Sequence, residues 1–175
     1  LWILENENDW KYVNKTESVF TTANGYMGIR AVHTFRDEDR SPGMFVAGLF
    51  QKATEHEVTE LVNCPDVTEI KLEINNEIIR FSSCTVDEYE RSYNTKTGEV
   101  IESGIWKTRN GISVKISLRA FASLFNRHFW CQKMELELLN ADSAKVCVEA
   151  GINGQITNSG VSHFRNTECR VYEKK

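Results

Sequence analysis

The chain has 175 residues, with 21 basic and 25 acidic side chains and a net charge of −4. It therefore lacks the clustered basic excess that neutralises phosphates, and no nucleic-acid partner is expected. Hydrophobic residues make up 41% and charged residues 26%, the balance of a folded soluble domain rather than a disordered chain. No stretch approaches the ~18 apolar residues of a membrane-spanning helix, and the acidic start lacks the basic head and apolar run of a signal peptide, so neither membrane insertion nor export is expected.

In chain order, the first predicted feature is an exposed loop over 36–42, where charged residues run up to Pro42. The best short helix candidate is 53–62. Ile70, Leu72 and Ile74 then alternate with polar residues, the period of a half-buried strand. Asn75-Asn76 and Thr97-Gly98 read as chain reversals. Asn110-Gly111 is the strongest hairpin signal, a type I′ turn pairing 104–109 with 112–120. Ile112, Val114, Ile116 and Leu118 form the clearest alternating run. Trp130, Met134, Leu136 and Leu138 follow, and Val146, Val148 and Ala150 close the series. Short strands about ten residues apart, with turn residues between them, predict a mainly β fold: a large antiparallel β-sandwich, supersandwich-like, with little helix.

The residues carry no self-evident chemistry. There is no nucleophile elbow or phosphate loop, because Asn24-Gly25-Tyr26-Met27-Gly28 lacks the Lys-Ser/Thr of one phosphate motif and the third glycine of the other. His33, His56, His128 and His163 are scattered, without the i, i+4 spacing of a zinc site, so neither a metal nor an organic cofactor is expected. Asp87-Glu88 and Glu135/Glu137 read equally well as a carboxylate pair and as solvated strand positions. Trp2, Trp10, Trp106 and Trp130 are core residues first and sugar platforms second. Five cysteines without a C-x-x-C spacing point to reduced, mostly buried thiols. The glycosylation-type tripeptide Asn14-Lys15-Thr16 carries no meaning without export.

The segment from Glu17-Ser18-Val19-Phe20 to Asn24-Gly25-Tyr26-Met27-Gly28-Ile29-Arg30 resembles the E-S-x-F and N-G-Y-x-G-x-R-G segments of family 65 glycoside hydrolases, the maltose, trehalose and kojibiose phosphorylases and their hydrolase relatives. Ala47-Gly48-Leu49-Phe50, Leu61-Val62-Asn63-Cys64-Pro65-Asp66, Ile74-Asn75-Asn76-Glu77, Lys96-Thr97-Gly98-Glu99-Val100 and Ile152-Asn153-Gly154-Gln155-Ile156-Thr157-Asn158 are similar to further segments of that family, in the same order. Departures are Ala31 for the glycine after the arginine, His33-Thr34-Phe35 for an acidic pair, and Tyr93-Asn94-Thr95 for Leu-Asp-Met.

The resemblance implies that residues 1–175 are a single N-terminal β-sandwich domain, a fragment of a longer chain whose (α/α)6 catalytic barrel lies beyond it. It implies no catalytic residue here. The parent would cleave an α-glucosyl disaccharide with inversion, in the cytoplasm, using inorganic phosphate as co-substrate if a phosphorylase. The fragment's partners would be its own barrel and possible second copies in a homodimer. Asn24, Gly25, Tyr26, Gly28 and Arg30 are the family motif, structural or barrel-facing: the glycines permit tight turns or close approach, Asn24 tolerates left-handed backbone while bonding its own main chain, and Arg30 ties a loop to a carboxylate or carbonyls. The alternative is a stand-alone carbohydrate-binding β-sandwich module.

Overall fold

A computed structural model describes residues 2–5, 12–37, 42–52, 54–56, 58–158 and 160–164. It is mostly antiparallel sheet. The largest sheet has five strands in the order β1 (Trp2–Glu5), β9 (Thr85–Asn94), β10 (Glu99–Lys107), β11 (Ser113–Ala122) and β12 (Trp130–Leu138). A second sheet holds β13 (Val146–Ala150), β7 (Ile70–Ile74) and β8 (Glu77–Ile78). These two form the sandwich: Leu72 and Ile74 on β7 meet Trp106 on β10 and Val114, Ile116 and Leu118 on β11, with Phe35 and Ile79 completing the core. A third sheet, β2 (Thr22–Ala23), β3 (Met27–Ile29) and β4 (Met44–Val46), lays Met27 and Ile29 against Ala122 and Trp130. The short pair β5 (Phe50–Gln51) and β6 (Glu60–Leu61) completes the strands.

The turn chemistry is redistributed relative to expectation. The β7–β8 hairpin has a two-residue loop, Ile74 facing Glu77, with φ of 50° at Asn75 and 64° at Asn76, so the turn with both central residues at positive φ sits here. At Asn110-Gly111 only Gly111 is left-handed (φ 83°) and Lys107 faces Ser113. Thr108 N–H donates to the Ile112 carbonyl. The loop is thus three residues ending in a left-handed glycine, not the expected type I′ turn; it pairs the expected strands all the same. Gly98 (φ 71°) closes the β9–β10 reversal by donating to the Asn94 carbonyl.

Among the described residues the helix is α1 (Val13–Val19), not the expected 53–62, where 54–56 form a turn and β6 begins at Glu60; Ala53 and Glu57 lie outside the described residues. Of the expected loop, 38–41 lie outside them too, whereas Arg36 at its start is paired with Asp66. No described helix is long and apolar enough to cross a membrane.

The four described cysteines are unpaired, and only Cys64 is fully buried, which corrects the expectation of mostly buried thiols; Cys169 lies outside the described residues. Burial pushes the Cys64 thiol up, partly offset by a hydrogen bond from the Val46 backbone. Cys147, exposed on edge strand β13, is therefore expected to take up iodoacetamide at pH 8 about tenfold faster or more than Cys64, read by peptide mass mapping.

The motif network as candidate functional site

Residues of the resemblance segments are distant in sequence and converge in space. Asn24 follows β2 and is buried. Its Oδ1 accepts from the Tyr26 N–H (3.0 Å) and the Met27 N–H (2.9 Å), closing the β2–β3 turn. Its Nδ2 donates to the Ser123 carbonyl (2.8 Å) and the Arg127 carbonyl (3.0 Å) across 99 and 103 residues. Because the amide oxygen faces two N–H groups and the nitrogen two carbonyls, its orientation is fixed. The left-handed residue is Gly25 (φ 82°) and not Asn24, so Asn24 contributes bonding while the glycine contributes the turn.

The two motif glycines differ in kind. A Cβ at Gly25 meets nothing within 4 Å, but its φ is one that side chains disfavour. A Cβ on Gly28 lies 3.9 Å from that of Ala23, an ordinary contact, with no unusual φ. Gly25→Ala is expected to cost about 1–2 kcal/mol, whereas Gly28→Ala stays within about 0.5 kcal/mol; paired urea titrations of the two variants check this.

Arg30 does tie a segment to a carboxylate. Its Nη2 lies 3.0 Å from Glu17 Oε2, a carboxylate only 1% exposed at the second half of α1. The same nitrogen donates to the Asn14 carbonyl and to its Oδ1, so the asparagine of the glycosylation-type tripeptide is engaged internally. Ala31 N–H adds a bond to the Glu17 carbonyl. Helix α1 is thereby fastened to the end of β3. Tyr26 is half-buried, with the exposed His128 ring edge-on at 4.4 Å.

The later segments close on one another in the same way. Asn63 Oδ1 accepts from the Met44 N–H (2.9 Å), and its Nδ2 donates to the Pro42 carbonyl (3.0 Å). The Asn63 N–H donates to Asn158 Oδ1 (2.8 Å), whose own Nδ2 donates to the Leu61 carbonyl (2.8 Å). Asp66 is bridged by backbone bonds to Asn153. Its Oδ1 accepts from the N–H and hydroxyl of Thr68, and its Oδ2 pairs with Arg36. Buried polar groups need such partners; here the partners are other motif residues and their neighbours.

Open clefts flank this network. A narrow one lies between the β2–β3 sheet and β10–β12 and includes Arg30, Arg91, Glu102 and Trp130. Arg91 donates to the Ala31 carbonyl and sits 5.4 Å from the Phe20 ring centroid. Glu102, its cross-strand neighbour, accepts from the Thr34 N–H (3.4 Å). Another, wider one is lined by Arg30, Phe45, Glu60, Asn63 and Asn158, where both asparagines are occupied as described above.

The remaining candidates are dispersed. His33 is buried, with Tyr89 Oη 2.6 Å from its Nδ1; His56 and His128 are exposed; His163 pairs with Glu60 at 2.7 Å. Among the described residues no three His, Cys, Asp or Glu side chains converge in a way that holds a metal ion. Asp87 pairs with Lys107, and Glu135, fully solvated, is held below the usual carboxylate range by the hydrogen bond from Lys133 and then by its charge. Trp106 is wholly buried, which removes it as a sugar platform; Trp130 is half-buried; Trp10 and the side chain of Trp2 lie outside the description. The partner sequence reasoning missed is the β11–β12 loop. Its signal was present in the three large apolar residues Leu124, Phe125 and Phe129, packed into the seven positions between the strands.

Comparison with known proteins matches this arrangement to one family. The sequence profile described as glycosyl hydrolase family 65, N-terminal domain, matches residues 3–175. A kojibiose phosphorylase from Halothermothrix orenii is 34% identical over 97% of this chain and 22% of its own length. One from Escherichia coli is 33% identical over 91% of this chain and 21% of its own. The chain thus spans about a fifth of the length of the curated relatives it matches. A solved structure from the human microbiome, assigned to kojibiose phosphorylase, superposes with a TM-score of 0.83 at 15% identity, covering 98% of this chain and 24% of that one; this likeness concerns the fold. The antiparallel sandwich, the ordered motif segments and the profile match agree: the chain belongs to the N-terminal domain family of glycosyl hydrolase family 65.

Proposed function

We propose that this chain is the non-catalytic N-terminal domain of a longer disaccharide phosphorylase that cleaves an α-glucosidic bond with inversion, with kojibiose as the first substrate to test. The observation that carries the reading is the match to kojibiose phosphorylases over 91–97% of this chain but only 21–22% of theirs. Relatives that act on trehalose match at 23–24% identity, further away. The internal engagement of Glu17 and Asp66 supports placing the reaction in the remainder of the polypeptide. In that reading inorganic phosphate is the co-substrate, the partner is the chain's own (α/α)6 barrel, and Asn24, Gly25, Tyr26, Gly28 and Arg30 are architectural rather than substrate-binding. A homodimer and a cytoplasmic location, where phosphate is supplied by metabolism, complete the proposal.

The test is an assay of the full-length polypeptide for glucose 1-phosphate released from kojibiose, nigerose, trehalose and maltose, with and without phosphate. Phosphate-dependent release from kojibiose is expected. Glucose release that ignores phosphate contradicts the phosphorylase reading in favour of a hydrolase, and absence of turnover together with disaccharide binding to this domain favours the carbohydrate-binding module.

A further inference from the structure

The loop between β11 and β12 combines two properties that seldom occur together. It is rigidly built. The Ser123 and Arg127 carbonyls accept from Asn24 Nδ2 (2.8 and 3.0 Å). Ser123 N–H donates to the Phe129 carbonyl (3.0 Å), and Phe129 N–H to the Asn126 carbonyl (3.1 Å). Asn126 N–H donates to Ser123 Oγ (3.2 Å), and His128 N–H to Asn126 Oδ1 (3.1 Å). The Tyr26 ring closes on His128 at 4.4 Å. Yet this ordered loop presents apolar side chains to water: Phe125 is 103% exposed, Leu124 74% and Phe129 58%.

Holding large apolar groups out in solvent is unfavourable, and a cluster of them marks an interaction surface. A disordered loop turns such side chains back onto the domain; here the hydrogen bonds prevent that. Fixing the loop in advance removes the ordering cost from binding. The residue that fixes it, Asn24, belongs to the segment through which the chain resembles its family, and it reaches across 99 residues to do so.

We infer that loop 123–129 is the element by which this domain docks onto the remainder of its own polypeptide, with Phe125 as the central anchor and Leu124 and Phe129 beside it. The inference rests on the reading of the chain as the N-terminal part of a longer protein. The occupant follows from length: the relatives carry about four fifths of their chain outside the matched region, ample to cover an apolar seat on this domain. Asn24 acts as a positioning residue and does not itself touch the docked part.

The test uses the full-length polypeptide carrying Phe125→Cys, labelled with a small maleimide and read by peptide mass mapping. Lys96→Cys, on the polar β9–β10 turn, is the control. We expect the cysteine at 125 to react about tenfold more slowly or less than the one at 96, at every protein concentration down to the fully monomeric. Equal rates overturn the inference; protection that vanishes on dilution to the monomer overturns it in favour of a second copy. Should Phe125→Cys fail to fold, hydroxyl-radical footprinting of the unsubstituted protein decides: protected Phe125 and Phe129 support docking, and oxidation at the rate of freely solvated phenylalanine overturns it. Labelling does not require turnover. A protected loop in a polypeptide that cleaves no disaccharide therefore contradicts the proposed activity while leaving the docking intact.

Discussion

Replacing Trp106 by alanine is expected to destabilise the domain by about 4 kcal/mol, the middle of the range for a large aromatic removed from a core. Trp106 has no exposed surface and meets Phe35 at 5.4 Å, Phe81 at 6.0 Å and Tyr89 at 6.3 Å, all in edge-to-face contacts. It joins β10 to the residues of β7 and β11 that form the sandwich core, so its loss opens a cavity at the place where both sheets meet. Its backbone is placed by a bulge: the β9–β10 register shifts between Ser103 and Ile105, opposite Glu88 with φ 50°. Gly104 leaves room for the ring, since a Cβ there falls 3.0 Å from it. The indole N–H has no hydrogen-bond partner, so Trp106→Phe forfeits volume without forfeiting a bond and costs about 1–3 kcal/mol. Urea midpoints followed by circular dichroism check both values; equal losses for the two variants contradict a packing role.

The second large effect is expected at Asn24. Asn24→Ala removes four hydrogen bonds and strands two N–H groups and two carbonyls in buried or half-buried positions. Unmet groups of this kind cost about 1–3 kcal/mol each where water cannot replace the partner, and partial access of water brings the expected total to about 3 kcal/mol. Asn24→Asp is the sharper variant. It retains the acceptor for Tyr26 and Met27 but sets a second oxygen against the Ser123 and Arg127 carbonyls, so it is expected to lose as much as alanine. Hydrogen exchange then accelerates at amides of loop 123–129 while those of β7 remain slow. Unchanged exchange in the loop contradicts the tie.

Strands β7 and β11 were legible in the sequence because one face of each is covered. Ile70, Leu72 and Ile74 alternate and are buried, as are Val114, Ile116 and Leu118, because period-two patterning reports a covered face directly. Val146, Val148 and Ala150 also form a strand, but all five residues of β13 are exposed. Their register partners Ile74, Leu72 and Ile70 are core residues, so the pattern identified the correct side of an edge strand over which the described residues place no second layer.

Helix α1 escaped because its buried positions are Val13 and Glu17. Glu17 is buried through Arg30 rather than through hydrophobicity, and no apolar stripe records that. Thr16 and Ser18 return their hydroxyls to the Val13 and Asn14 carbonyls, a habit of residues that otherwise signal turns. In 53–62, by contrast, Val58, Leu61 and Val62 mimic helical spacing, but Val58 is exposed and Leu61 pairs with Phe50 on β5.

Of the motif, the types were readable and the partners were not. A guanidinium with its fixed fork of donors predicts a tie to a carboxylate or to carbonyls, and Glu17 is thirteen residues before Arg30 in the sequence. The partners of Asn24 lie about a hundred residues away in a loop whose only local signal is misplaced apolar side chains.

In the proposed function the motif residues maintain the domain and do not act on substrate, and Arg30→Ala in the full-length protein tests this most directly. Arg30 is part-exposed while Glu17 is buried, so leaving that carboxylate without its guanidinium is expected to cost about 2 kcal/mol. That lowers the midpoint of the transition that unfolds this domain by roughly 4–8 °C. Well below the transition, kcat and KM for the disaccharide stay at the values of the unsubstituted enzyme. An unchanged melting temperature with lost activity contradicts the account and moves Arg30 to the reacting part of the molecule.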